Sequence, residues 1–247
     1  MNAPSITEAF NRYFYVTPAD TSQLRERVHR IRYDVYCREF GFEREEDCPD
    51  GLERDDYDDQ SRHCLAVHRP TGQAAGCVRL VLTDPADPDA PLPFERYCSH
   101  ALRRDLFDSS TVERRLIGEC SRLAIPAQFR RRATDQHKPV SLPAEHPVAI
   151  AGRDNFPYLP VSLFMAMTAM GLNAGCEYVV AMMEPPLARL IRRFGLPCAQ
   201  IGEVVDYHGP RAPFVWRRDS AFSQMPSELY KLLHMIDRQL SANAHDS

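Results

Sequence analysis

Three groups of side chains in this sequence have types and spacings that chemistry uses. The first is Glu119-Cys120-Ser121-Arg122, set within the apolar run LIGECSRLAI at 116–125. A carboxylate among Leu116, Ile117 and Leu123 resists ionisation, because burial disfavours its charged form; its pKa rises toward that of a useful general base. The second is Arg32 and Tyr36, one helical turn apart, followed by Phe42. The third is Glu53, Asp55, Tyr57 and Asp58, with Arg79 in a later apolar stretch. An acidic segment is by default a solvated loop, and a helix arginine is by default exposed. The alternative is that these carboxylates pair with Arg32 and Arg79 and order the loop over a site. Such pairs contribute little when exposed and more when buried.

The elements that must position these groups follow from periodicity. Residues 10–16 (FNRYFYV) read as a first strand. Thr21 or Ser22 caps a helix running to about Phe40, with the apolar stripe Leu24, Val28, Ile31 and Val35, and Gly41 ends it. Residues 43–62 are too polar for a core element and read as a long loop. HCLAVH and AGCVRLVL read as two strands around Pro70-Thr71-Gly72. A proline-rich loop at 84–93 precedes a short helix around 95–103, and 116–125 is a central strand. Residues 133–157 carry no periodicity and read as an insertion or mobile loop. A helix apolar on most sides (159–172) leads to a strand at 177–183. A second helix opens at Pro185-Pro186, with Leu187, Leu190, Ile191 and Phe194 buried and Gly195 as its cap. Strands near 198–206 and 213–217 and a helix over 226–241 follow. This order predicts an α/β chain with one mixed sheet and helices on both faces.

Bulk properties narrow the function classes. The chain has 247 residues, 44% hydrophobic and 26% charged, which suits one core-forming domain over 1–247. A net charge of −4 argues against a nucleic-acid partner. The N-terminus lacks the basic-then-apolar order of a secretory signal, and no run approaches the ~20 apolar residues of a membrane span. A cytoplasmic location is the expectation. None of the eight cysteines forms CxxC, so structural thiols and no metal are expected.

Taken together, RIRYDVYCREFGF, GLERDDYD, GCVRLV, GECSRLAI and LFMAMTAMGLNAGCEYVVAMMEPPLARLIRRFG resemble the N-acylhomoserine lactone (autoinducer) synthases. The resemblance spans about residues 24–205. It implies the N-acetyltransferase-like (GNAT) fold and an acyl donor carried on acyl carrier protein (ACP) or coenzyme A, with no tightly bound cofactor. It places Arg32, Tyr36, Phe42, Asp55, Asp58 and Arg79 around the substrate, and Glu119, Ser121 and Arg122 at the chemical centre. Tyr36 and Phe42 stand where the lactone synthases usually have Phe and Trp, and YHGPRAPFVW is not typical of them. Both features look more like N-acyl amino acid synthases and the acyltransferases associated with the PEP-CTERM/exosortase system, and the latter group is favoured. The implied reaction is attack of a small amine on a thioester, with Glu119 taking the amine's proton. An S-adenosylmethionine-dependent lactone synthase and a non-catalytic ACP-binding module are the competing readings.

In a regular strand Glu119 and Arg122 would face opposite ways. The GNAT fold implies a bulge, which re-aims side chains, and it is expected within about 121–126. Arg130, Arg131 and Arg132 follow that strand, where GNAT enzymes bind the donor's pyrophosphate; without glycines there, arginines suit the phosphopantetheine of ACP, with Arg189, Arg192 and Arg193 as a possible extension. Met165, Met167, Met170, Met182 and Met183 could line an acyl tunnel, though core filling explains any one of them.

Overall fold

A computed structural model of the protein describes residues 5–130 and 157–242. The chain opens with a helix, α1 (Ile6–Tyr13), where a strand was expected. Ser5 and Glu8 form a reciprocal capping box, and Ile6, Ala9 and Phe10 bury one face. The aromatic run becomes extended only afterwards, in β1 (Phe14–Pro18). Thr21 caps α2 (Ser22–Arg32) by accepting from the Leu24 amide at 3.3 Å.

The expected helix does not continue in α form to Phe40. From Tyr33 to Glu39 it is a π-helix, a wider turn that often marks functional positions. Gly41 at φ +62° then reverses the chain, and the Phe42 amide donates back to the Tyr36 carbonyl at 2.7 Å. This reversal brings Phe42 beside Tyr36, with ring centroids 6.3 Å apart.

The strands β2 (Ser61–His68), β3 (Ala74–Leu82), β4 (Ile117–Ala124), β5 (Tyr178–Met183), β6 (Ala199–Gln200), β7 (Val205–Asp206) and β8 (Pro210–Arg217) join β1 in one sheet. Its order is β1-β2-β3-β4-β5-β8-β6, with β7 on β8. The single stretch expected at 198–206 is thus two short strands. Only β4 and β5 pair in parallel. The helix between them, α4 (Tyr158–Asn173), is buried on most sides, as its composition requires.

Alternation along the strands builds a core on each face. Cys64, Ala66, Val78 and Leu80 pack with α1, α4 and α6 (Ser227–Ala242). Leu65, Val67 and Cys77 pack on the other face with Val28 and Ile31 of α2 and Val35 of the π-helical turn. The short helix α3 (Pro93–Cys98) continues as a 3-10 turn at Ser99–Ala101, and α5 spans Pro185–Arg193. All eight cysteines are free and buried, filling core space as small apolar groups. No described helix is long and apolar enough to cross a membrane. Apart from Pro157, the segment 133–157 lies outside the described residues.

Candidate active site

The site is made by two irregularities in the centre of the sheet. β4 and β5 pair only at Ile117↔Tyr178, Gly118↔Val179 and Glu119↔Val180. Beyond Glu119 the strands part, β4 staying with β3 and β5 with β8. The wedge between them opens into a cavity of about 420 Å³. The second irregularity is the bulge: Ser121 pairs with Arg79 and Ala124 with Cys77, so Arg122 and Leu123 together oppose Val78. Arg122 adopts φ +51°, a conformation side chains rarely take outside turns and functional sites. The bulge therefore falls within the expected window. It turns Arg122 onto the same face as Glu119, Ser121 and Arg79, where a regular strand would separate them.

Glu119 sits at the apex of the wedge and is 3% exposed. Its Oε2 accepts from the Phe94 amide at 2.7 Å, at the start of α3. Burial pushes its pKa up to about 8, against the smaller opposing pulls of that amide and of Arg79. A carboxyl held there is a stronger base than an ordinary glutamate and accepts a proton once it has ionised, at pH values near 8. Ser121 Oγ accepts from Arg79 Nε at 3.1 Å and lines the same cavity.

The acidic segment is not a solvated loop. Arg32 is fully buried (0% exposed); it pairs with Glu53 and, at 2.5 Å, with Asp58. Arg79, equally buried, pairs with Asp55 and, at 2.7 Å, with Asp58. Arg122 reaches Glu53 at 3.1 Å, Asp55 at 3.2 Å and Glu43 at 3.3 Å. Burial alone would raise the Asp58 pKa, but Arg32 and Arg79 outweigh it and hold the carboxyl well below its ordinary value. Glu53 and Asp55 are lowered in the same contest, by Arg32 and Arg122 for Glu53 and chiefly by Arg79 for Asp55. Charge cancellation is what lets so polar a segment be buried. The network thus ties α2, the loop, β3 and the bulge together.

Tyr36 is buried and carries a phenolic hydroxyl. It donates to the Leu123 carbonyl at 2.9 Å, which lies in the bulge. The Arg122 guanidinium stands 5.6 Å from the Tyr36 ring centroid. Replacing Tyr36 with Phe removes the donor and leaves that carbonyl unpaired. Stability should fall by about 1 kcal/mol in chemical denaturation, and kcat should fall as well, because the bulge aims Arg122. An unchanged kcat beside the same stability loss would show that the bulge holds without Tyr36.

Among the described residues, His29, Asp58 and His63 bring their ligand atoms within 4.8 Å of one another. Both imidazoles have lowered pKa values, first because they are buried, His63 to about 4. The Asp58 oxygens already accept from Arg32, Arg79 and the Asp55 amide, so a cation there would compete with two guanidiniums.

Arg32 and Asp58 buttress the cavity, whereas Tyr36, Phe42, Asp55, Arg79, Glu119, Ser121 and Arg122 line it. Met167, Met182 and Met183 form an apolar part of the lining with Phe164, Leu187 and Trp216, while Met165 and Met170 fill the core. Arg130 is engaged by Glu39 and the Ile125 carbonyl and stacks on Phe40, its guanidinium carbon 4.9 Å from the ring centroid. Arg131 and Arg132 lie outside the described residues. Arg189, Arg192 and Arg193 are exposed on α5. The residues that sequence reasoning missed are Glu43, Phe94 and the group Tyr207, His208 and Arg211. The unusual YHGPRAPF segment was their signal: Gly209 at φ +94° closes the β7–β8 hairpin and presents them to the cavity.

Comparison with known proteins finds the same fold. Residues 31–138 match the acetyltransferase (GNAT) domain family. The structure resembles BjaI, a CoA-dependent acyl-homoserine lactone synthase solved with MTA (TM-score 0.60, 18% identity, covering 90% of this chain and 89% of that one). It resembles TofI bound to an inhibitor and MTA (TM-score 0.57, 18% identity, 88% and 96%). It also resembles FeeM, an N-acyl amino acid synthase from uncultured soil microbes (TM-score 0.54, 12% identity, 88% and 97%). No curated protein sequence matches the chain. At these identities the likeness is one of fold: the protein has the GNAT acyltransferase fold, and its residues 31–138 carry the match to the acetyltransferase (GNAT) domain.

Proposed function

We propose that this protein is an N-acyltransferase that moves a fatty acyl group from a carrier thioester to a small amine. The observation that carries the reading is Glu119, a buried carboxyl with raised pKa at the apex of the β4–β5 wedge, beside the bulge that turns Arg122 into the same cavity. The acyl chain lies against Met167, Met182, Met183 and Trp216. The amine approaches on the side of Tyr36, Phe42 and the charged network. Glu119 takes the amine's proton directly or through water as nitrogen attacks the thioester carbon. The C–N bond forms, the intermediate's oxyanion meets donors at the opened strand edge, and the C–S bond breaks to release the carrier thiolate, which takes up the proton that Glu119 accepted, directly or through water. ACP is the preferred donor form over CoA, with Arg131, Arg132 and the exposed arginines of α5 meeting its acidic surface. Tyr36, Phe42 and the YHGPRAPF segment support an exosortase-associated or amino-acid acyltransferase rather than a lactone synthase, acting in the cytoplasm as one domain over 1–247.

The test is direct. Purified protein is given acyl-ACP and acyl-CoA of increasing chain length with a panel of amines, S-adenosylmethionine included, and products are identified by mass spectrometry. The expected product is an N-acyl amine formed better from long-chain than from short-chain donors. A lactone from S-adenosylmethionine would establish the competing synthase. Equal turnover of short and long donors would remove the methionine-lined wall from the chain-length account. Donor binding without thiol release for any amine would indicate a non-catalytic module.

A further inference from the structure

Four arginines line the cavity among the described residues: Arg54, Arg79, Arg122 and Arg211. Three have carboxylate partners. Arg54 pairs with Asp50, Arg79 with Asp55 and Asp58, and Arg122 with Glu43, Glu53 and Asp55. Arg211 has none among the described residues. Its contact is with the face of Phe42, the guanidinium carbon 5.8 Å from the ring centroid, which leaves its N–H donors unpaired by any anion.

The position of Arg211 is as informative as its missing partner. Val215 pairs with Val180, the β5 residue beside Glu119, and Arg211 lies four residues earlier on β8. At ~3.3 Å per residue that is about 13 Å of strand from the apex toward the open end of the wedge. Two side chains with a small molecule between them can bridge such a span. Phe42 and Tyr36 form the floor between Arg211 and Arg122, each ring under one guanidinium. His208 and Tyr207 close the near side, with the His208 ring 5.1 Å from Phe42 and 5.0 Å from Tyr207. Arg211 therefore faces the polar, aromatic part of the cavity.

An arginine fork matches a carboxylate through two parallel N–H···O bonds, and one left open in a site is suited to a ligand anion. We propose that Arg211 anchors the carboxylate of the acceptor, so that the amine acylated at Glu119 belongs to an amino acid. This rests on the acyl-transfer reading above and adds its acceptor class. The bound carboxylate neutralises the cavity arginine that has no carboxylate partner among the described residues, and it fixes where the amine points.

The experiment pairs each amino acid with its decarboxylated counterpart, alanine with ethylamine and phenylalanine with phenethylamine, using one acyl-ACP donor. Wild-type protein, Arg211→Gln and Arg211→Lys are compared, with thermal melting of each to confirm folding. The expected wild-type kcat/KM favours the amino acid by about 10-fold or more, the scale of one charge-assisted pair. In Arg211→Gln that ratio collapses toward one through a raised KM for the amino acid, and Arg211→Lys keeps part of it. Amines acylated with no preference for the carboxylate, or both members of a pair losing equally in Arg211→Gln, would overturn the proposal alone. So would a raised KM for the donor in place of the acceptor, since Arg211 would then serve a pantetheine phosphate. If the donor binds and no amine of either kind is acylated, the acyl-transfer reading falls and takes this one with it.

Discussion

Glu119→Gln is expected to lower acyl transfer by about 10²–10⁴-fold, the range a positioned general base supplies, while making the fold more stable. The two effects have one cause. Glu119 is buried, and its pKa of about 8 lies far above that of an unfolded glutamate, near ~4.3. Between those values the folded state keeps the proton that the unfolded state has released. Stability is therefore lost as pH rises through this window, on the order of 3 kcal/mol by pH 7. Glutamine can still accept from the Phe94 amide and does not ionise. The melting temperature of Glu119→Gln should exceed that of the wild type, by a margin that widens with pH and levels off above about 8. Activity runs the other way. The base works only when deprotonated, so wild-type kcat/KM should climb through about pH 8, and that limb should vanish in the variant. Turnover unchanged in Glu119→Gln would remove the residue from the mechanism. A melting difference that does not depend on pH would mean that Glu119 is not held neutral by burial.

Arg32→Met is expected to cost about 3–5 kcal/mol, the largest stability loss from any single change in the network. Arg32 is fully buried and pairs with Glu53 and Asp58. Methionine fills similar space but leaves both carboxylates in a dry site with one cation fewer. Denaturation at neutral pH should show the deficit. It should shrink on acidification, because carboxylates that have lost Arg32 protonate more readily. In the wild type the sign is opposite: Asp58, Glu53 and Asp55 have lowered pKa values, so their stabilisation is present above the ordinary carboxylate range and fades as pH falls through their own. Arg103→Ala is the control. Its exposed pair with Asp105 is screened by water and should contribute little to stability. A deficit in Arg32→Met no larger than the control's would mean that water enters the network freely.

The two expectations separate the kinds of work done around one cavity. Glu119 carries a destabilising protonation state that serves proton transfer, whereas Arg32 and Asp58 hold the loop that shapes the space beside it. A site of this kind needs both, because a base kept neutral by burial requires surroundings rigid enough to keep water out.

Much of this was determined by the sequence alone. The short, near-continuous apolar runs HCLAVH, AGCVRLVL and LIGECSRLAI identify strands because a sheet covered on both faces buries successive residues on either side. The caps at Thr21 and Gly41 and the proline pair at 185–186 mark helix ends because they satisfy or remove terminal backbone groups. Burial of Glu119 followed from its apolar neighbours, and so did the direction of its pKa shift. The bulge was foreseeable from the GNAT resemblance. Helix α1 was missed because aromatic residues suit both states, and only the Ser5–Glu8 box and packing against α6 decide. The π-helical turn left no mark in composition, since it depends on where Gly41 reverses the chain.

Tertiary structure decided which charges meet. The sequence left the 53–58 carboxylates either as a solvated loop or as partners of Arg32 and Arg79; only the tertiary structure chooses the pairing and adds Glu43 and Arg122 to it. It also decided that Arg130 stacks on Phe40 and pairs with Glu39, while Arg211, from an unassuming hairpin, faces the cavity with no carboxylate partner among the described residues. Local pattern records what each segment buries. Pairing across the sheet, set by long-range contacts that no short window contains, determines which arginine is left open for a ligand.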